Sequence, residues 1–265
     1  NILGEYMFSQ SATLENVVLP KNIKAIGDFA LYYCDISDIV IPEGVETIGR
    51  YAFARLPDYR VHRSVSIPQS VTSIDKYAFA NHQGMDIYIQ DLRKFIEACI
   101  SESSIYMSDY GLLGVCRLFL NNEEVNDLVI PEGITSIPPC FAGCSSLTSV
   151  TIPEGANFNS AAPFQYCKNL KQAKFPNSCQ IIPPGTFDNS GLTTMIIGNN
   201  VTTIWYGAFS CCPLNAFYSY TQTPPVIDCV KGLPDTAISN MPTEVRYSFG
   251  GVNKDDANLY VPAGG

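Results

Sequence analysis

Histidine is nearly missing from this chain: His62 and His82 are the only two in 265 residues. A structural zinc site needs four converging thiolate or imidazole ligands. Neither Cys140-x-x-x-Cys144 nor Cys211-Cys212 offers such spacing, so no metal ligand and no cofactor is assigned. Basic residues are also short, 16 against 25 acidic ones, for a net charge of −9. Nucleic acid and anionic membrane surfaces both call for clustered Lys and Arg, and this balance speaks against either partner. No segment approaches the roughly eighteen consecutive apolar residues of a transmembrane helix, so no membrane insertion is expected. The Gly-x-Ser-x-Gly elbow, His-Glu-x-x-His and a phosphate-cradling glycine loop are missing too, and the chain is read as no enzyme. Glu123-Glu124 and Asp255-Asp256 read as solvated turns, the latter without the spacing of a calcium loop.

What the chain does contain is one phrase, written seven times with an eighth worn copy at the start: proline, about ten residues, then phenylalanine. Ile41 to Phe53 and Ile67 to Phe79 are the clearest copies, and the others anchor on Pro20/Phe29, Pro131/Phe141, Pro153/Phe164, Pro176/Phe187 and Gly198/Phe209. Pro131, Pro153, Pro176 and Gly198 stand 22, 23 and 22 residues apart. A fixed period of that length means a solenoid whose turns bury apolar faces only against their neighbours. Within one copy, Val150 and Ile152 alternate with Ser149 and Thr151, the period of a strand with one buried face. Pro153-Glu154-Gly155 ends the strand, with Pro expected second and Gly fourth in a type I turn. The anchor phenylalanines are expected to stack as a buried row.

The units resemble the leucine-rich repeats of the BspA-like class, found in surface and secreted proteins of Bacteroides-type bacteria. The resemblance covers residues 1–220, with departures at Gly198, Pro138-Pro139 and Pro183-Pro184 and a divergent copy at Ala156 to Phe164. It implies an α/β leucine-rich-repeat fold that is strand-dominated: a right-handed solenoid with a curved parallel β-sheet, a helix-containing interruption and a C-terminal cap. Leu3 to Phe8 matches the second half of a repeat, Ile48 to Phe53. The chain is therefore expected to be a piece of a longer precursor, with any signal peptide outside it.

The phrase fails in two places. Over residues 85–128 a strand at Met85 to Gln90 precedes a helix capped by Asp91, with Leu92, Phe95, Ile96, Cys99 and Ile100 on one face. Leu118 to Val125 reads as a hairpin turning at Asn121-Asn122. This module is either a packed variant repeat or a dedicated binding insertion. The second failure, residues 221–265, resembles the family's C-terminal cap. Ten cysteines fall partly in register: Cys144, Cys167 and Cys212 each lie three residues after an anchor phenylalanine, and Cys34 and His82 join that column. They form either a stacked column of buried thiols or, between neighbours such as Cys144 and Cys167, a disulfide. His62 falls in a solvated loop, and the Asn200-Val201-Thr202 sequon coincides with a repeat turn.

Solenoids bind through extended surfaces. The outward strand positions start with Asn16/Val18, Asp38/Val40, Ser64/Ser66 and Asp127/Val129. They continue through Ser149 and Thr151, Gln172 and Lys174, Thr194 and Ile196, to Ala216 and Tyr218. Ser149, Thr151, Gln172, Lys174, Thr194, Ile196 and Tyr218 are the candidate binding residues on a small, polar face. The resemblance implies a monomeric, non-enzymatic extracellular or cell-surface protein that contacts host or bacterial proteins or glycans. A structural spacer projecting another domain is the alternative, and an enzyme with a deep pocket beside the interruption is a second.

Overall fold

From Asp38–Val40 onward the described turns open on a short strand that buries one side chain in two; Asn16 and Val18, expected on such a strand, lie in non-strand backbone. In Ser149–Thr151 only Val150 is buried, and Gln172–Lys174 and Asp127–Val129 repeat the pattern around Ala173 and Leu128. The proline turn follows, but its phase differs from the expectation. Ala156 N–H donates to Pro153 O at 3.3 Å, which places Pro153 first and Gly155 third. Gly155 has φ +80°, Gly133 +83° and Gly44 +98°. A positive φ at the third position belongs to a type II turn and is where glycine costs least. Where serine stands instead, at Ser70 and Ser178, its hydroxyl accepts the N–H of Gly44 or Gly155 in the adjacent turn, at 2.9 and 2.7 Å.

The computed structural model describes residues 1–54, 63–75, 77–80, 85–100, 116–158, 162–205, 207–219, 225–228 and 258–260. The turns stack into a solenoid of about eight turns. Its main strands form two sheets, a five-stranded one from Asp38–Val40 to Glu123–Glu124 and a six-stranded parallel one: Asp127–Val129, Ser149–Thr151, Gln172–Lys174, Thr194–Ile197, Ala216–Ser219 and Asn258–Tyr260. The register is fixed residue for residue, Leu128 with Val150, Ala173, Met195 and Phe217. Shorter second strands pair the same way, as in Ile2–Leu3, Ala25–Ile26, Thr47–Ile48 and Ser73–Ile74. Leu128, Val150, Ala173 and Met195 are thus each covered along the axis by the counterpart in the next turn.

The aromatic corner closes each turn. Phe141, Phe164, Phe187 and Phe209 stack with ring centroids 5.9, 5.4 and 5.8 Å apart, and Phe53 stacks on Phe79 at 5.3 Å. All are essentially inaccessible, each worth about 1.5–3 kcal/mol of burial. One anchor is corrected. Phe29 does not join this row; Leu31 does, because Leu31 N–H donates to Ala52 O as Phe53 N–H donates to Ala78 O. Phe29 belongs instead to an outer row two residues earlier, with Tyr6, Tyr51 and Tyr77, stacked at 4.7, 5.1 and 5.1 Å. All four have φ between +52° and +64°, the left-handed conformation that the sharp corner requires. Ala162, Gly185 and Gly207 take that position in later turns.

The interruption packs into the ladder as a variant turn. Met85–Ile89 pairs in parallel with Arg63–Ile67 on one side and Cys116–Leu120 on the other. Between them the helix Leu92–Ile100 begins where Asp91 Oδ1 accepts the N–H of Lys94 at 3.1 Å. It buries Phe95, Ile96, Ala98 and Cys99 against the strand Ser73–Ile74 and the short 3₁₀ helix Pro139–Phe141. The hairpin starts at Cys116, two residues before the sequence suggested, and pairs back through Glu123–Glu124. Asn121 and Asn122 both have positive φ, +52° and +67°, as a two-residue type I′ turn demands. Beyond residue 220 both ladders run on, in Val226–Asp228 and Asn258–Tyr260. The rest of the expected cap, with Asp255-Asp256, lies outside the described residues, as do His62, His82 and Cys229.

Candidate binding face

Strand register converts the candidate residues into two rows. Ser149, Gln172, Thr194 and Ala216 are successive Cα partners in one row; Thr151, Lys174, Ile196 and Tyr218 are partners in the other, which Tyr260 extends. Neighbours stand about 4.8 Å apart across such a ladder. Gln172, Lys174 and Thr151 are exposed, while Ser149, Thr194, Ile196 and Tyr218 are half-buried. Part of the polarity is spent inside the face: Ser149 Oγ donates to Asp127 Oδ1 at 2.7 Å, and Ser64 Oγ to Asp38 Oδ1 at 2.6 Å. Val40 and Val129, on the second row of their own sheets, are 67% and 65% exposed.

The strands of the interruption present a different surface, which sequence reasoning missed. Cross-strand register sets Asp86 against Arg117 and Tyr88 against Phe119. Arg117 Nε and Nη2 donate to the two Asp86 oxygens at 2.8 and 2.6 Å, a bidentate fork. The Asp86 side chain is 4% exposed and that of Arg117 43%. The hydrogen bond to Asp86 pushes the Arg117 pKa up further, so its charge is permanent. Tyr88 and Phe119 stack at 4.6 Å, and the Arg117 guanidinium lies 5.3 Å from the Phe119 ring centre. Both rings are half-buried, and exposed Glu123, Glu124 and Asp127 follow directly. Aromatic rings with a fixed arginine are the residue types that dominate tight protein contacts. The signal was present in Met-Asp-Ile-Tyr-Ile and Cys-Arg-Leu-Phe-Leu, whose even members point outward. Without the repeat phase, nothing said which residues of the two strands would face each other.

Beside the helix a shallow crevice with room for little more than a water molecule is walled by Ile67, Pro68, Val71, Ile89, Phe95 and Ala98. Gln69, Asp91 and Lys94 stand among these apolar side chains, and the crevice follows the packing seam of the helix. Among the described residues no group of three or more metal-ligating side chains converges. No described helix is long and apolar enough to cross a membrane.

The cysteine column is built as a ladder of thiol hydrogen bonds. Cys34 Sγ donates to Phe8 O at 3.0 Å, Cys167 Sγ to Phe141 O at 3.1 Å and Cys212 Sγ to Phe187 O at 2.9 Å. Each acceptor is the carbonyl of the anchor residue one turn earlier; Phe8 precedes Leu31 in the same row. Cys144 and Cys167 carry free thiols. Burial pushes the Cys167 thiol well up and Cys212 to about 11, so these thiols are donors and not nucleophiles. In the turn anchored by Phe187, Ser190 takes the same place.

Comparison with known proteins agrees with this architecture. The model of the BspA type leucine rich repeat region matches residues 1–107 and 116–224, in six copies. The chain is similar to the crystal structure of a leucine-rich repeat protein from Bacteroides ovatus, at 20% identity and TM-score 0.50 over 99% of this chain and 75% of that one. It is also similar to a leucine rich cell surface protein from Faecalibacterium prausnitzii, at 18% identity and TM-score 0.48 over 98% and 76%. No functionally curated protein matches. Solenoids of this kind are typically non-enzymatic, and proteins built from these repeats are usually surface proteins. With more than half of its residues matched, the chain belongs to the BspA-type leucine-rich repeat family.

Proposed function

We propose that this chain is a non-enzymatic binding protein of the cell exterior, contacting proteins or glycans of host or neighbouring cells through the outward face of its strands. The observation that supports the reading most is the surface at Asp86, Tyr88, Arg117 and Phe119. There a repeat face otherwise made mostly of polar and aliphatic residues carries two stacked rings and a permanently charged, oriented guanidinium. The rows through Ser149, Gln172 and Thr194, and through Thr151, Lys174, Ile196 and Tyr218, extend the contact area. Cofactors have no part in it, and the chain acts as a monomer. The in-register pairing within each sheet also supports the alternative of a spacer that projects another domain. Screening the chain against immobilised matrix proteins, glycan arrays and bacterial surfaces distinguishes the two. Binding that Phe119→Ala or Tyr88→Ala weakens at least tenfold supports the contact face, whereas blank screens on all three sets support the spacer.

A further inference from the structure

Cys144 is the column member whose neighbour in the preceding turn is not an anchor carbonyl. That turn is the interruption, and the strand Cys116–Leu120 enters where the corner of a regular repeat would stand. Cys116 N–H donates to Gly143 O at 3.2 Å, and Ser145 N–H donates to Cys116 O at 2.7 Å. These two bonds make Cys116 and Cys144 direct partners in an isolated parallel bridge. Both side chains are buried, at 1% exposure each, on the same side of the bridge. Cys116 therefore joins the thiol column spatially, though nothing in the repeat phase puts it there.

We propose that Cys116 and Cys144 form a reversible disulfide that clamps the helix-containing interruption to the repeat array. Directly opposed residues of a parallel pair have Cα atoms about 4.8 Å apart, inside the roughly 4.4–6.8 Å that a disulfide spans. The choice of partner follows from what each thiol already does. Cys167, the other neighbour of Cys144, has its S–H committed to Phe141 O. The Cys144 sulfur instead meets Cys116 and Ser146 Oγ, the latter at 3.3 Å. The Cys116 hydrogen bond is the largest influence on the Cys144 thiol and lowers it, while the same contact and burial hold the Cys116 thiol up, so Cys144 is the thiol that attacks first. A second thiol pair at the seam, Cys99 and Cys140, sits on the helix Leu92–Ile100 and the 3₁₀ helix Pro139–Phe141, without the opposed-strand bridge that sets the Cα spacing of Cys116 and Cys144.

The oxidant is a small or protein disulfide. Cys144 S⁻ attacks one sulfur of R–S–S–R, breaking that S–S bond and releasing R–S⁻. Cys116 gives its proton to solvent and attacks the Cys144 sulfur, forming Cys116–S–S–Cys144 and releasing the second R–S⁻. Two cysteine thiols are oxidised and one disulfide is reduced to two thiols. Because both sulfurs are buried, the exchange takes place while the seam is open, and the product closes it.

The test uses the full chain, purified with reductant and then equilibrated with glutathione disulfide under native conditions. Remaining thiols are alkylated in denaturant, and peptides are mapped by mass spectrometry. The expected result is a linked peptide joining Cys116 to Cys144 with two hydrogens lost. The thermal midpoint should rise by several degrees and fall back with dithiothreitol. Cys116→Ala, whose fold is checked by circular dichroism, should show neither change. Recovery of both cysteines in alkylated form, or a Cys144–Cys167 link in their place, would overturn the proposal. The mapping on the unsubstituted chain decides the matter even if the variant fails to fold.

Discussion

The Cys167 thiol donates to the carbonyl of Phe141 at 3.1 Å, tying the corner of one turn to the aromatic anchor of the turn before. The same bond at Cys34 and Cys212 makes this a repeated tie and not a local accident. Cysteine suits the place because it fills a crowded apolar corner and still offers one weak donor. Cys167→Ala removes that donor, and because Phe141 O still accepts the Cys144 N–H at 3.0 Å the cost is that of one hydrogen bond, about 0.5–1.5 kcal/mol. Cys167→Ser keeps the donor and should retain most of the stability. Urea unfolding of both variants measures the difference; an alanine as stable as wild type would reduce the column to packing.

The two aromatic rows differ in burial, so exchanging their members separates them. Leu31 is 2% exposed in the inner row, whereas Phe29 sits half-buried in the outer one. Leu31→Ala should cost about 2–5 kcal/mol, in the range of large-to-small core changes. Phe29→Ala should cost less, roughly 1 kcal/mol or under, because its left-handed backbone is relieved little and less area is lost. Equal losses in thermal or urea unfolding would return Phe29 to the buried row.

Gly198 stands where other repeats carry proline, and close approach explains it. A Cβ there would lie 2.5 Å from Pro176 O and 2.7 Å from Asn177 Cα, both backbone atoms of the neighbouring turn. Gly198→Pro restores the repeat consensus and is nevertheless expected to destabilise by about 2 kcal/mol or more. A rise in the unfolding midpoint would contradict the contact.

Thiol chemistry carries a pH signature. Burial raises Cys179 and Cys212 from the ordinary 9.0 to about 11, so the folded chain holds protons that the unfolded chain releases. This contribution is fully present below pH 9 and is lost as the pH climbs towards 11. Stability measured between these values should therefore decline. At pH 8 in native buffer, iodoacetamide should modify exposed Cys211 well before Cys167, Cys179 or Cys212. Simultaneous modification of all four would show that the corner is open.

The period, the alternation around Val150, the capped helix after Asp91 and the turn at Asn121-Asn122 were all written in the sequence. Each rests on residues a few positions apart, where backbone preference and side-chain periodicity act alone. The candidate rows from Ser149 to Tyr218 were legible for the same reason, since a constant period carries one register through the array. Tertiary structure decided the rest. Phe29 and Leu31 differ by two residues, a shift that preserves inward-outward alternation, and only the bond from Leu31 to Ala52 tells them apart. Asp86 with Arg117, Tyr88 with Phe119, and Cys116 with Cys144 are pairs some thirty residues apart in sequence. They meet across strands whose phase the interruption had erased, so the surface and the thiol pair that set this chain apart come from stacking and not from any local motif.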